Sequence, residues 1–212
     1  MFDGITYEEL NQMIDNPRSE PFDDYFGNME LPESEKKKRI SLAEKLEDNF
    51  LPILIFLFTL KQYGRQINWE EIRMRFEIGY RNAVQELISI DSQLDTYIKT
   101  FSYDVVDSTK RHDDDFYYYS VDRATLISEN ESNTSLSYEE FLNAINSGKT
   151  MKKWIDIRDK KERETHRKVG GTTKPITEPF LVGNSLMMFA KDWSMGAEAK
   201  EIISCRCTIK YF

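Results

Sequence analysis

The spacing of apolar residues changes once along this 212-residue chain, at Gly148, and that change constrains the fold more than any total does. Before it, Ile40, Ala43, Leu46 and Phe50 recur at three- and four-residue steps, which predicts a helix over 34–50. Pro52 suits the first turn of a separate helix that ends before Gly64. Asn68 and Glu71 open another, with Ile72, Phe76, Tyr80, Val84 and Leu87 as its apolar stripe. Further helices are expected from Asp91 to about Thr100, from Tyr117 to Glu131 and from Tyr138 to Asn146, with "STKRHDDD" (108–115) as a break. Capping boxes of the S/T-x-x-E type stand at Thr6 and Ser137.

Beyond Gly148 the period becomes two. "MKKWIDI" sets Trp154 on one side of a strand and Ile155 and Ile157 on the other. "CRCTIKYF" sets Cys205, Cys207, Ile209 and Tyr211 on one face and Arg206, Thr208 and Lys210 on the other. Between them Asp159 is expected to cap a short helix, with Glu162 at its third position and Gly170-Gly171 as its stop. The expected class is α+β, a mainly helical N-terminal part (1–115) followed by a small compact α+β unit (116–212). Residues 15–33, with three prolines and many acids, read as an extended arm.

The longest apolar run, Phe50–Leu60, has eleven residues and contains Pro52, whereas a membrane span needs about 20. It is expected to be a buried core helix rather than a partner-binding surface, and no membrane association is expected. The N-terminus lacks the basic start and apolar run of a secretory signal. Two cysteines are too few for a disulfide framework, which fits a reducing compartment.

The net charge of −8 is unevenly spread. Residues 152–212 hold 13 basic and 8 acidic side chains; residues 1–151 hold 16 and 29. A basic piece on an acidic body can present opposite faces to two partners, one of them a polyanion. Lys152, Lys153, Lys160, Lys161, Arg167 and Lys168 are the candidate contacts to DNA phosphates, against the plainer reading of a solvated surface.

Few motifs carry chemistry. "SGKT" (147–150) resembles the end of a phosphate-binding loop, but position 143 is Asn where that loop needs Gly, and a helix precedes it. No base–nucleophile signature surrounds Cys205 or Cys207, and buried inert cysteines are the simpler reading. His166, Cys205 and Cys207 could supply three ligands to zinc, with Asp159, Asp192 or His112 as a fourth. Cys-x-Cys on one strand has a poor bite, and His166 alternatively ends its helix as an imidazolium bonded to the last carbonyls. No cofactor is therefore required, and zinc stays open.

Read together, "DRATLISENESN" (122–133), "INSGKTMKKWIDIRDKKERETHRKVGG", "EPFLVGNSLMMF" and "IISCRC" resemble the phage head morphogenesis domain, the Mu F-like minor head protein family. The likeness covers about residues 120–212. The family pattern is carried by Arg123-Ala124, Gly148, Trp154, Asp159, Arg163, His166, Gly171, Pro179-Phe180, Met187-Met188-Phe189 and Cys205-Arg206-Cys207. The chain departs from it at "FAKD" (189–192), where the family has an aromatic-Pro-Gly-Asp turn. With five residues after Cys207, no appended toxin or nuclease domain is expected.

The resemblance implies a minor capsid protein of a tailed bacteriophage, present in few copies at the portal vertex and head interior. It would act in head assembly and DNA packaging or delivery by binding, without catalysis. Its expected partners are the portal and other head proteins, with packaged DNA as a non-specific contact. Its expected location is the virion, and the host cytoplasm during assembly. The rival class is a metal-dependent enzyme or processing factor centred on His166, Cys205 and Cys207.

Overall fold

The structure is a computed structural model and describes residues 22–212. The Thr6 capping box and the first part of the expected arm lie outside the described residues. In chain order from Phe22 the elements are α1 (Phe22–Phe26), α2 (Glu33–Gln62), α3 (Trp69–Val84), α4 (Ser92–Arg111), a 3-10 turn (Phe116–Tyr119) and α5 (Val121–Asn146). There follow β1 (Met151–Ile155), α6 (Glu164–Val169), β2 (Thr173–Pro175), β3 (Phe180–Val182), β4 (Ser185–Met187), α7 (Ala199–Ile202) and β5 (Thr208–Tyr211). The class is α+β, helical first and mixed afterwards, as the change of period at Gly148 requires. No helix among the described residues is long and apolar enough to cross a membrane.

The described chain forms two compact units, one of residues 42–128 and one of residues 22–41 with 129–212. This division differs from the expected boundary at 115/116. In the first unit one face of the apolar run is core: Phe50, Leu54, Leu57 and Phe58 are buried, while Phe56 is exposed. The Phe50 ring meets Phe76 and Phe101, each at 5.4 Å between centroids. The Asn68 side chain caps α3 through Glu71 N, and Asp91 caps α4 through Gln93 N and Leu94 N. Two expectations fail here. Pro52 lies inside one 30-residue helix instead of starting a new one. Proline removes one donor from the ladder, but the buried residues on both sides of it hold the helix in register. The fourth helix also continues to Arg111, so the break expected at Ser108 comes after that residue.

In the second unit β1 is central to an antiparallel sheet of order β2-β1-β5, pairing Lys152 with Lys174 and Trp154 with Ile209. A separate hairpin pairs β3 with β4. Trp154, Val169, Phe180, Val182, Met187, Ala190, Cys205 and Cys207 form one apolar cluster. The described part of the expected arm is not extended. Phe22, Tyr25 and Phe26 are buried on α1, and Met29 follows them into the core. Aromatic burial outweighs the acidic and proline-rich composition that suggested an arm.

Two expected helices, 117–131 and 138–146, are one. Residues 128–137, "SENESNTSLS", are buried throughout and run through the middle of α5. Ser137 is therefore interior to a helix and caps nothing. A polar stretch reads as a loop by hydropathy, yet it is stable inside a fold when its groups find partners. Lastly, α6 begins at Glu164, not just after Asp159. The Asp159 carboxylate instead accepts from Lys161 N (2.9 Å) in the turn ahead of the helix.

Candidate functional site

From Gly148 onward, the residues named for the resemblance lie in the second unit. Gly171 donates its N–H to Trp154 O (2.9 Å) and takes a φ of 77°, the left-handed conformation that favours glycine. Arg206 pairs with Asp159 at 2.6 Å. Burial works against ionisation of Asp159, but the guanidinium outweighs it and holds the carboxyl below its usual range. Arg163 reaches over to donate to Ile203 O at 2.5 Å.

The polar middle of α5 positions the Cys-Arg-Cys segment. Asn130 Oδ1 accepts from Ser204 N (2.7 Å), and Asn133 Nδ2 donates to Cys205 O (3.0 Å). The Tyr25 hydroxyl donates to the same carbonyl at 2.9 Å. Arg39 Nε in turn donates to Asn133 Oδ1 at 3.1 Å. These asparagines fix the backbone on which both cysteines stand, and nothing in their hydropathy marks them as interior.

The departing stretch at 189–192 is a turn, in which Asp192 N donates to Phe189 O at 3.2 Å. Lys191 adopts φ 68°, in the left-handed region that non-glycine residues seldom occupy. Asp192 accepts from Met188 N (2.7 Å) and Ser194 N (2.8 Å). The Lys191 ammonium is buried and donates to Asn130 Oδ1 (2.6 Å) and Ile202 O (3.0 Å). Burial pushes its pKa down to about 8, against the attraction of nearby acidic groups.

His166 does not end its helix in solvent, as one reading expected. It is buried, with Nδ1 3.3 Å from Cys207 Sγ and 3.5 Å from Cys205 Sγ, and Nε2 3.1 Å from Glu201 Oε2. Its ring stands edge-on to Trp154 at 6.0 Å. The helix turns this face inward because Val169, one turn on, belongs to the same core. Both cysteines are free and buried. Cys207 donates to Cys205, which lowers the Cys205 pKa well below the thiol value despite burial, with His166 adding to the effect. The same bond, then burial, raises Cys207. For His166 burial favours the neutral ring, but the Cys205 thiolate outweighs it and raises the pKa.

His166, Cys205 and Cys207 thus come together, their ligand atoms all within 4.8 Å of one another. The expected fourth partners do not join them. Asp159 is spent on Arg206 and Lys161, and Asp192 on its own turn. His112 lies in the other unit, where Nδ1 meets Ser108 O and the ring stacks on Tyr118. Glu201 and Glu162 are the site residues that sequence reasoning missed. Both stand among charged residues that look like solvated surface.

Of the six expected phosphate contacts, the structure withdraws Lys152 and places Arg167 and Lys168 in surface ion pairs. Lys152 is fully buried, with Nζ donating to Met188 O at 2.6 Å; strand alternation puts it on the Trp154 side. Arg167 pairs with Glu162 (3.3 Å) and Lys168 with Glu164 (2.8 Å). Lys160 and Lys161 are exposed and Lys153 is half-buried. Comparison of the chain with models of known protein families, with curated proteins and with solved structures finds no match in any of the three.

Proposed function

We propose that this chain is a minor head protein of a tailed bacteriophage, acting at the portal vertex and head interior in assembly and DNA packaging or delivery. One observation carries the reading. Residues spread from Trp154 to Cys207, chosen only by their likeness to the Mu F-like pattern, interlock through Asp159–Arg206, Arg163–Ile203, Trp154–Gly171 and His166 with both cysteines. A pattern assembled by chance has no reason to form one connected set of contacts. The Lys191 turn, glycine-like in φ where the family has glycine, adds to it.

The action is binding rather than catalysis. Beside the histidine and cysteines lies a cavity of about 20 Å³, room for one water or ion and not for a substrate. The partners are the portal and other head proteins, with DNA phosphates as a minor contact through Lys160, Lys161 and Lys153. The chain would be made in the host cytoplasm and leave it inside the virion. Quantitative mass spectrometry of gradient-purified particles from the phage encoding the chain tests the reading. A few copies per head, retained after tails are removed, are expected. Purified heads that lack the chain yet package DNA normally would refute it.

A further inference from the structure

We propose that His166 Nδ1, Cys205 Sγ, Cys207 Sγ and a carboxylate oxygen of Glu162 form a structural zinc site. Zinc–sulfur bonds of about 2.3 Å and zinc–nitrogen bonds of about 2.0 Å, set tetrahedrally, separate the nitrogen and sulfur ligands by roughly 3.5 Å. The His166 nitrogen stands 3.3 and 3.5 Å from the two sulfurs. The bite of Cys-x-Cys, poor on a regular strand, is relieved because both cysteines precede β5 and leave Ser204 at φ 55°.

Glu162 supplies the observation that the three candidate ligand atoms lack. Its side chain is only 3% exposed, and Oε1 is buried with no hydrogen-bond partner. It lines the ion-sized cavity together with His166, Cys205 and Cys207. An unpaired carboxylate oxygen in such a place is costly unless a cation or donor completes it. The carboxylate is held only through Oε2, by Arg167 Nε at 3.3 Å, so rotation of the side chain brings an oxygen to the ion. On the far side of the ring, His166 Nε2 faces Glu201 Oε2, which also accepts from Thr165 Oγ1 at 2.8 Å. This is the carboxylate–histidine–metal arrangement that fixes the tautomer leaving Nδ1 free for the ion. Binding displaces whatever protons the cysteines and ring hold. Four protein ligands leave no open position, so the ion would tie the start of α6 to the segment that leads into β5 without activating water.

The test uses the untagged full chain expressed with zinc in the medium. Elemental analysis is expected to give one zinc per chain after gel filtration. X-ray absorption at the zinc edge should show two sulfur and two nitrogen or oxygen neighbours; it needs no variant, so misfolding cannot obscure it. Cobalt substitution should give the intense visible bands of a tetrahedral site. Glu162→Gln should alter those bands, and Glu201→Gln should weaken zinc binding by roughly 10–100-fold while leaving the ligand count unchanged. A chain that retains no zinc, or a zinc without sulfur neighbours, overturns the site. A cobalt spectrum indifferent to Glu162→Gln overturns the fourth ligand. None of these outcomes bears on the portal reading.

Discussion

The Lys152 ammonium is surrounded by Met188 O and by the Phe141 and Phe180 rings, whose centroids lie 5.5 and 5.1 Å away. Burial is the main influence on it and pushes its pKa down to about 8; attraction by Asp192 only partly offsets this. The folded pKa is below the unfolded value, so the fold disfavours the charged form. That cost is fully present below about pH 8 and fades as pH rises toward the unfolded value of about 10.4. Lys152→Met removes the titrating group. The stability of the natural chain relative to this variant should therefore rise between pH 7 and pH 9.5. Urea midpoints at the two pH values measure it, and parallel behaviour of the two proteins would count against the buried charge. At this scale the sequence was misleading for a definite reason: a lysine next to a lysine reads as surface, whereas strand alternation buries one of the two.

Among the elements, α5 departs furthest from what its composition suggests. Its buried stretch from Ser128 to Ser137 contains two glutamates and two asparagines. Asn130, Ser132 and Asn133 bond to other elements, which offsets the competition with the backbone that makes such residues poor in isolated helices. Asn133→Ala would leave Arg39 Nε without its acceptor and Cys205 O with Tyr25 alone. We expect a loss of about 1–3 kcal/mol in urea unfolding, the cost of stranding buried polar groups. A change within about 0.5 kcal/mol, the range of ordinary surface substitutions, would mean that these bonds are easily replaced. By contrast, α3 was legible in advance, since its cap and apolar stripe are local and agree with each other.

For the whole molecule the relevant quantity is the charge imbalance, basic over 152–212 and acidic before it. With Lys152 buried and Arg167 and Lys168 in ion pairs, the six candidate cations are less available to displace counterions from DNA than their sequence suggests. The full chain should bind duplex DNA weakly and without sequence preference. Its log–log salt slope should be no steeper than about −3, near −0.9 per phosphate for Lys153, Lys160 and Lys161. Lys160→Glu with Lys161→Glu should flatten it further. Fluorescence titration at low and moderate salt decides this, and undetectable binding at low salt would leave head proteins as the only partners.

Local signals in the sequence determined the α+β class, the onset of strands after Gly148, the helix cap at Asn68, and the burial of one face of the Phe50–Leu60 run. Each depends on residues within one or two turns of one another, where periodicity and capping chemistry act directly. The sequence also brought His166, Cys205 and Cys207 forward as a group, because only those residue types can act together as soft ligands. Tertiary structure alone decided the rest. It carried one helix through Pro52 and another through a polar run, folded Phe22 and Phe26 into a core, and buried Lys152. It also brought Glu201 to the histidine and Glu162 to the cavity beside the sulfurs. In each case the deciding partner is distant in sequence, and a charged or polar side chain carries no local mark of whether such a partner or water will satisfy it.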